Sequence, residues 1–311
     1  MNYNLNEIRF PSSDGKSTIY AEIYTPKVAI PKGIVQLAHG MIDYTGRYTA
    51  LADALTANGY ILAGNHHLGH GKSVATAEDL GHFADKGGYR FVLDDIHAMN
   101  KYLHKTFPSL PVVLLGHSMG SFISRLYVAE HPHSVSGLII HGTGGPNPLV
   151  GAGKALAGII RAFCGPRHRS ALINNMAFGS YNSKFPKEEG HNAWLTRDLD
   201  KVKDRDTNEL TSFEFTVSSY IDLFNFLAGS NSKKWFKSYP KNMPTLIMSG
   251  DMDPVGDYGK GPRYVYKQLM LCGVESVKLK MYEGARHELF NEYNCDEVFA
   301  DILEWLGGVK G

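Results

Sequence analysis

The residues best equipped for covalent chemistry lie in the segment PVVLLGHSMG, 111–120, where Ser118 is flanked by glycines as G-x-S-x-G. Short matches to this pattern arise by chance, so its context carries the weight. An apolar strand runs into it, and a helical pattern (Phe122, Leu126, Val128, Ala129) runs out of it. Glycines on both sides permit a sharp, strained strand-to-helix turn that lifts the hydroxyl clear of the sheet. At a helix N-terminus the free N–H groups and the dipole favour developing negative charge. Ser118 is the expected nucleophile.

A serine hydroxyl is a weak nucleophile and needs an adjacent base, itself held by a carboxylate. With a nucleophile on this kind of turn, the acid and then the histidine follow it along the chain. His287, in the short loop after the last apolar strand VKLKMYEG, satisfies that order; His191 precedes the acid-bearing strand. The acid should follow PTLIMSG, where Asp251, Asp253 and Asp257 all stand. Asp253 is preferred: it lies far enough past Gly250 for the loop to turn back, and Pro254 stiffens that loop. Asp251 and Asp257 remain alternatives. Another strand, GIVQLAHG, ends in His39-Gly40. The expected oxyanion donors are the backbone N–H groups of Met119, after the nucleophile, and Met41, in the loop after this earlier strand.

The elements that position these groups are short Val/Ile/Leu runs, each followed by a turn and a helical pattern. The first two, LNEIRF and STIYAEIY, alternate in polarity and are joined by Ser-Ser-Asp-Gly, which reads as a hairpin. GIVQLAHG, YILAGN, PVVLLGHS, VSGLIIHG, PTLIMSGD and VKLKMYEG follow, with helical spacing over 48–58, 91–106, 118–130, 264–271 and 297–306. Such alternation predicts an α/β fold, a mostly parallel sheet with helices on both faces. From 144 to 240 no strand pattern occurs. We read 1–143 and 241–311 as the core and 144–240 as a helical cap, since long insertions in such folds are usually functional.

With 311 residues, 43% apolar and 20% charged, the chain has the balance of a soluble globular enzyme. A net charge of +1 gives no electrostatic case for nucleic acid or an anionic membrane. Cys164, Cys272 and Cys295 lie far apart and are odd in number, which argues for a reducing compartment. Neither a signal peptide nor an apolar run long enough to span a membrane is evident, so the expected setting is cytoplasmic. No cofactor is called for. His66, His67 and His70 lack a carboxylate or cysteine companion for a metal, Gly71-Lys72-Ser73 lacks the earlier glycine of a phosphate loop, and GTGGPNPLVGAG lacks a ribose-binding sequel.

The motifs AHGMIDYTGRY, HHLGHGKS, LLGHSMGS, GDMDPVGD and YEGARHE, in this order, make the chain resemble the monoacylglycerol lipase and lysophospholipase branch of the α/β-hydrolases, the serine aminopeptidase S33-type hydrolases. The resemblance covers essentially the whole chain except the cap, where it is loose. It implies an eight-stranded sheet, Ser118, Asp253 and His287 as the catalytic triad, and Met41 and Met119 as oxyanion donors. Two positions depart from the family pattern: Ser121 replaces a glycine, and His66 replaces an aspartate.

Within the cap, Leu149, Ala152, Leu156, Ile159, Ile160 and Phe163 share one helix face. Of these, Leu149, Leu156, Ile159, Ile160 and Phe163 are the expected acyl-binding wall, able also to touch a membrane surface transiently, with Phe213, Phe215, Phe224 and Phe226 as further walls. An apolar pocket suits an acyl ester better than a peptide or phosphate ester. The expected substrate is a monoacylglycerol- or lysophospholipid-like ester. A short-chain or aryl esterase is the alternative, and then an amidase or aminopeptidase with Glu209 or Glu214 anchoring an amine. A ligand-binding protein with a dead site fits poorly with all three triad residue types in place.

Overall fold

The structure, a computed structural model, describes residues 3–309. Its strands are β1 (Tyr3–Pro11), β2 (Thr18–Pro26), β3 (Gly33–Ala38), β4 (Tyr60–Asn65), β5 (Val112–His117), β6 (Gly137–His141), β7 (Thr245–Gly250) and β8 (Val277–Tyr282). The helices are α1 (Thr49–Ala57), α2 (Gly88–Thr106), α3 (Met119–Glu130), α4 (Leu149–Cys164), α5 (Ala171–Phe178), α6 (Leu199–Thr207), α7 (Val217–Ser230), α8 (Lys233–Ser238), α9 (Lys260–Leu271) and α10 (Cys295–Gly307).

The eight strands form one sheet in the order β1-β2-β4-β3-β5-β6-β7-β8. The β1–β2 hairpin and the β2–β4 pair are antiparallel and every later pairing is parallel. This is the α/β-hydrolase architecture. The central strands are buried along their whole length, which is why they read as unbroken apolar runs. Successive side chains alternate between two cores. Ile34, Val112, Leu114 and Ile140 join one with α2, α3 and α7, while Val35, Leu37, Val113 and Ile139 join the other with α1 and α10.

Three helices, α2, α9 and α10, begin earlier than their apolar spacing predicts. α2 starts at Gly88, where the buried carboxylate of Asp222 from α7 stands so close that a Cβ on Gly88 would lie 2.6 Å from its Oδ2. α9 starts at Lys260 with Pro262 in its first turn, where a missing N–H costs nothing.

Between β6 and β7 the chain carries α4 to α8 and no strand of the sheet. This segment is built into the core. Tyr220, Phe224 and Phe226 of α7 share a cluster with Phe122 and Ile123 of α3. Arg125 of α3, fully buried, donates to Thr143, Gly144, Ser230 and Asn231, tying both ends of the α4–α7 stretch to one guanidinium.

Candidate active site

Ser118 occupies the step between β5 and α3 with φ 54° and ψ −119°, a backbone region costly for a residue with a side chain. Packing enforces it. A Cβ on Gly116 would lie 2.3 Å from the carbonyl oxygen of Gly120, and one on Gly120 would lie 1.9 Å from that of Ala38. Only glycine fits either place. The Ser118 N–H donates to the carbonyl of His141 at 2.9 Å, and the Ser121 hydroxyl donates to the carbonyl of Ser118 at 2.6 Å. Ser121 thus occupies its position without disturbing the turn.

His287 and Asp253 meet between the loops that follow β8 and β7. Nδ1 of His287 lies 2.9 Å from Oδ2 of Asp253, with 2% and 0% of the two side chains exposed. The carboxylate can only accept, so the imidazole N–H sits on Nδ1 and Nε2 is left with its lone pair. Nε2 is buried and takes no hydrogen bond among the described residues, and His287 and Ser118 line the same cavity. The imidazole is held between the rings of His117 and Trp194, at 4.9 and 5.1 Å. Of the other two acids, Asp251 accepts from Gly284 N–H and Asp257 pairs with Lys260 on the surface. Two glycines make the meeting possible, Gly250 and one that sequence reasoning passed over, Gly142. Gly142 has φ 62°, and a Cβ there would touch the His287 ring; one on Gly250 would lie 2.0 Å from the carbonyl oxygen of Ala285.

The loop after β3 is held by neutral histidines. His39 Nε2 accepts from the N–H of His67 at 2.9 Å, and His67 Nε2 donates to the carbonyl of His39 at 3.1 Å. His70 Nε2 accepts from the N–H of Ile42 at 3.3 Å, and its Nδ1 donates to the carbonyl of Leu68. Ile42 is held at φ 54°, unusual for a β-branched residue. His66 Nδ1 accepts from the N–H of Lys72, a bond the family's aspartate would also accept. Burial pushes all four imidazoles down, to about 3 for His66 and His67, about 4 for His70, and well below the usual value for His39. A Cβ on Gly40 would lie 3.3 Å from Cβ of Ser118, so this loop abuts the serine. Among the described residues no acceptor takes the N–H of Met41 or of Met119, and both residues line the cavity. A tetrahedral oxyanion beside Ser118 would find two free donors there. No group of histidine, cysteine and acidic side chains among the described residues is arranged to hold a metal ion.

The cavity has a volume of about 1090 Å³. Phe213 and Phe224 line it, whereas Phe215 and Phe226 are core residues; Glu214 reaches it and Glu209 does not. The expected wall on α4 is corrected. Of the five residues expected there only Leu149 borders the cavity, and it is 66% exposed. Leu156 and Ile160 are half-buried against the core away from the cavity, and Ile159 and Phe163 are exposed. The helix packs instead through Val150, Gly153 and Ala157. A Cβ on Gly153 would lie 3.0 Å from the ring of Phe224, so the small residues bring α4 onto α7 and turn the large ones outward. Sequence reasoning also passed over an ion cluster near His287. Arg47 binds Glu288 through both terminal nitrogens at 3.0 and 2.8 Å and Asp43 at 2.9 Å. Burial alone would raise the Glu288 carboxyl, but Arg47 overrides it and holds it well below the usual range. Asp43 and Arg47, spaced i, i+4, were the available signal.

Comparison with known proteins places the chain among hydrolases. A family model described as serine aminopeptidase, S33 matches residues 29–294. A monoglyceride lipase homolog of Monkeypox virus is 28% identical over 92% of this chain and 91% of its own length. Human monoglyceride lipase is 27% identical over 91% and 85%. A highly thermostable carboxyl esterase from Bacillus coagulans, solved in complex with glycerol, superposes with a TM-score of 0.92 at 30% identity, covering 98% of both chains.

Proposed function

The chain belongs to the serine aminopeptidase S33 family and is a carboxylic-ester hydrolase, and from that premise we propose that it cleaves monoacylglycerol- or lysophospholipid-like esters through an acyl-enzyme on Ser118. The observation that carries the reading is the unengaged Nε2 of His287, buried in the wall that Ser118 also lines, with Asp253 on the opposite nitrogen.

Nε2 takes the hydroxyl proton as Ser118 Oγ bonds to the ester carbon. The carbonyl oxygen gains the negative charge and accepts from the N–H groups of Met41 and Met119. As the tetrahedral species collapses, the bond to the alcohol oxygen breaks and His287 returns the proton to that oxygen. Water then repeats the sequence on the acyl-enzyme. Asp253 stays ionised and steadies the imidazolium.

In this reading 144–240 acts as a cap over the serine, with Val150, Phe213, Phe224 and Leu227 as acyl walls. The outward face of α4 and α5, with Leu149, Ile159, Phe163, Leu172 and Met176 exposed, makes the transient contact with a lipid surface. No helix among the described residues is long and apolar enough to cross a membrane. Three free thiols support a reducing, cytoplasmic setting.

A second reading, an esterase for short acyl chains, draws support from the carboxyl-esterase neighbour. An acyl-chain series of glycerol and p-nitrophenyl esters, with Ser118→Ala as control, separates the two. Turnover should favour medium and long chains and vanish in the variant. Activity confined to acetate esters would favour the second reading, and full activity in Ser118→Ala would sink both.

A further inference from the structure

Arg205 of α6 stands in the cavity wall, its guanidinium unmatched by any hydrogen-bond acceptor among the described residues. Its side chain is only 10% exposed, and its nearest carboxylate, Asp206, lies 4.0 Å away, half-exposed and hydrogen-bonded to Asn192. Among the described residues no oxygen accepts a hydrogen bond from its guanidinium. A desolvated donor set of this kind is costly unless a ligand oxygen completes it. The residue is held in place. Thr211 Oγ1 donates to its carbonyl at 2.6 Å, and Asn208, one turn on, donates to the hydroxyl of Tyr44 at 2.8 Å, tying this end of α6 to the segment that follows Met41.

The surroundings specify what that oxygen belongs to. Arg205 lines the same cavity as Met41, Asp43, His287 and Glu288, and the Asn208–Tyr44 bond ties its helix to the segment after Met41; burial pushes the guanidinium down, and Glu288, Arg47 and Asp43 are the charges that act on it most. Two guanidinium groups and two carboxylates there sum to zero. Asp43 is saturated by Arg47, Tyr48 and the N–H groups of Gly40 and Tyr44. Oε1 of Glu288 receives a single donor, from Arg47, and keeps a lone pair.

We propose that Arg205 is a specificity-determining residue that donates to a hydroxyl oxygen on the leaving alcohol, and so selects esters of uncharged, hydroxyl-bearing alcohols. A hydroxyl can accept from Arg205 while donating to Oε1 of Glu288, and a plain alkyl alcohol can do neither. A phosphate would bring an uncompensated charge into a balanced, buried cluster. The inference rests on the ester-cleaving reading of Ser118 and adds a residue and a selection rule to it.

Three esters of one fatty acid test it: the glycol monoester, the propyl ester and the glycerol-phosphate ester. The wild-type kcat/KM should favour the glycol ester over the propyl ester by about 10- to 100-fold, the worth of a charge-assisted hydrogen bond. That ratio should collapse in Arg205→Met, chiefly through KM, and survive in part in Arg205→Lys, which keeps a donor but not the fork. Thermal midpoints identify any variant that fails to fold, and the ratio in Arg205→Lys then carries the test. No preference in the wild type, or a ratio unchanged in a folded variant, overturns the inference while leaving the hydrolase reading intact. Preference for the glycerol-phosphate ester overturns it in favour of an anion site. Absence of turnover on every ester would sink both readings.

Discussion

Acidification should unfold this protein near pH 5, because of how many histidines it buries uncharged. His39, His66, His67, His70 and His141 have no exposed surface, and His117 has 4%. Burial pushes each one down, to about 3 for His66, His67 and His141 and about 4 for His70, with His39 and His117 also well below the usual value. In the unfolded chain each returns to about 6.5. The folded value is the lower one, so between about pH 6.5 and 4 the unfolded chain binds more protons and stability falls as pH falls. Below 6.5 each histidine costs about 1.4 kcal/mol per pH unit, so six cost about 11 kcal/mol on going from pH 7 to pH 5.

Two carboxyls work the other way. Burial raises Asp95 to about 6 and Asp222 to about 7, so the folded form holds their protons first and acidification from pH 7 to 5 stabilises it by about 4 kcal/mol. The histidines win by about 7 kcal/mol, comparable to the whole stability of a typical domain. Urea unfolding followed by tryptophan fluorescence from pH 8 to pH 4.5 reads this directly. The midpoint should drop steeply below pH 6.5, with a net uptake of about four protons on unfolding at pH 5.5. A midpoint that stays flat from pH 7 to pH 5 would refute the reasoning, since it would mean that these imidazoles carry charge or meet water inside the fold.

Two further perturbations address the site. Asp253→Asn removes the carboxylate acceptor of His287 Nδ1 and lets the wrong tautomer form, so kcat should fall by about 10⁴ while Ser118 stays present; steady-state hydrolysis of a p-nitrophenyl ester within tenfold of wild type would exclude Asp253 from the role. His70→Ala leaves the N–H of Ile42 without its acceptor and frees a loop held at positive φ, so kcat should drop about 10- to 100-fold with KM nearly unchanged, and His70→Gln should recover part of the loss. An unaltered kcat in folded His70→Ala would show that the loop holds itself.

What was legible in the chain was what is local or ordered along it. The strand-turn-helix around Ser118 needs only nearby glycines, and the structure shows why: the space beside Gly116 and Gly120 is filled by backbone. The alternation of apolar runs and helical patterns foretells the sheet because each central strand is buried on both faces. The face of α4 was misread for a physical reason. Periodicity identifies which residues align, but that helix is apolar nearly all round, and contact distance decides which stripe packs. Gly153 and Ala157 allow close approach to Phe224, so the bulky stripe one step around the helix is left outside. Nothing local could reveal that Arg47 meets Glu288, far along the chain, or that the Arg205 guanidinium finds no hydrogen-bond acceptor among the described residues.

The fourteen histidines of the chain acquire a common logic from this arrangement. A neutral imidazole is one donor and one acceptor at fixed separation, so it can bridge two backbone groups where a carboxylate could only accept. His39 and His70 do this beneath the Met41 loop, His67 donates one bond there through Nε2 while its Nδ1 takes none, and His141 joins the N–H of Leu289, through Nε2, to Nδ1 of His117 at 3.0 Å. Because Nε2 of His141 is an acceptor, its Nδ1 must be the donor and that of His117 the acceptor, which settles both tautomers. His39, His70 and His141 spend both nitrogens on structure. His287 spends one, on Asp253, and keeps a buried lone pair facing the cavity that holds Ser118. His66 and His67 each keep a buried nitrogen unbonded as well, but neither lines that cavity, so what sets His287 apart is an unspent nitrogen on a ring in the wall that Ser118 shares.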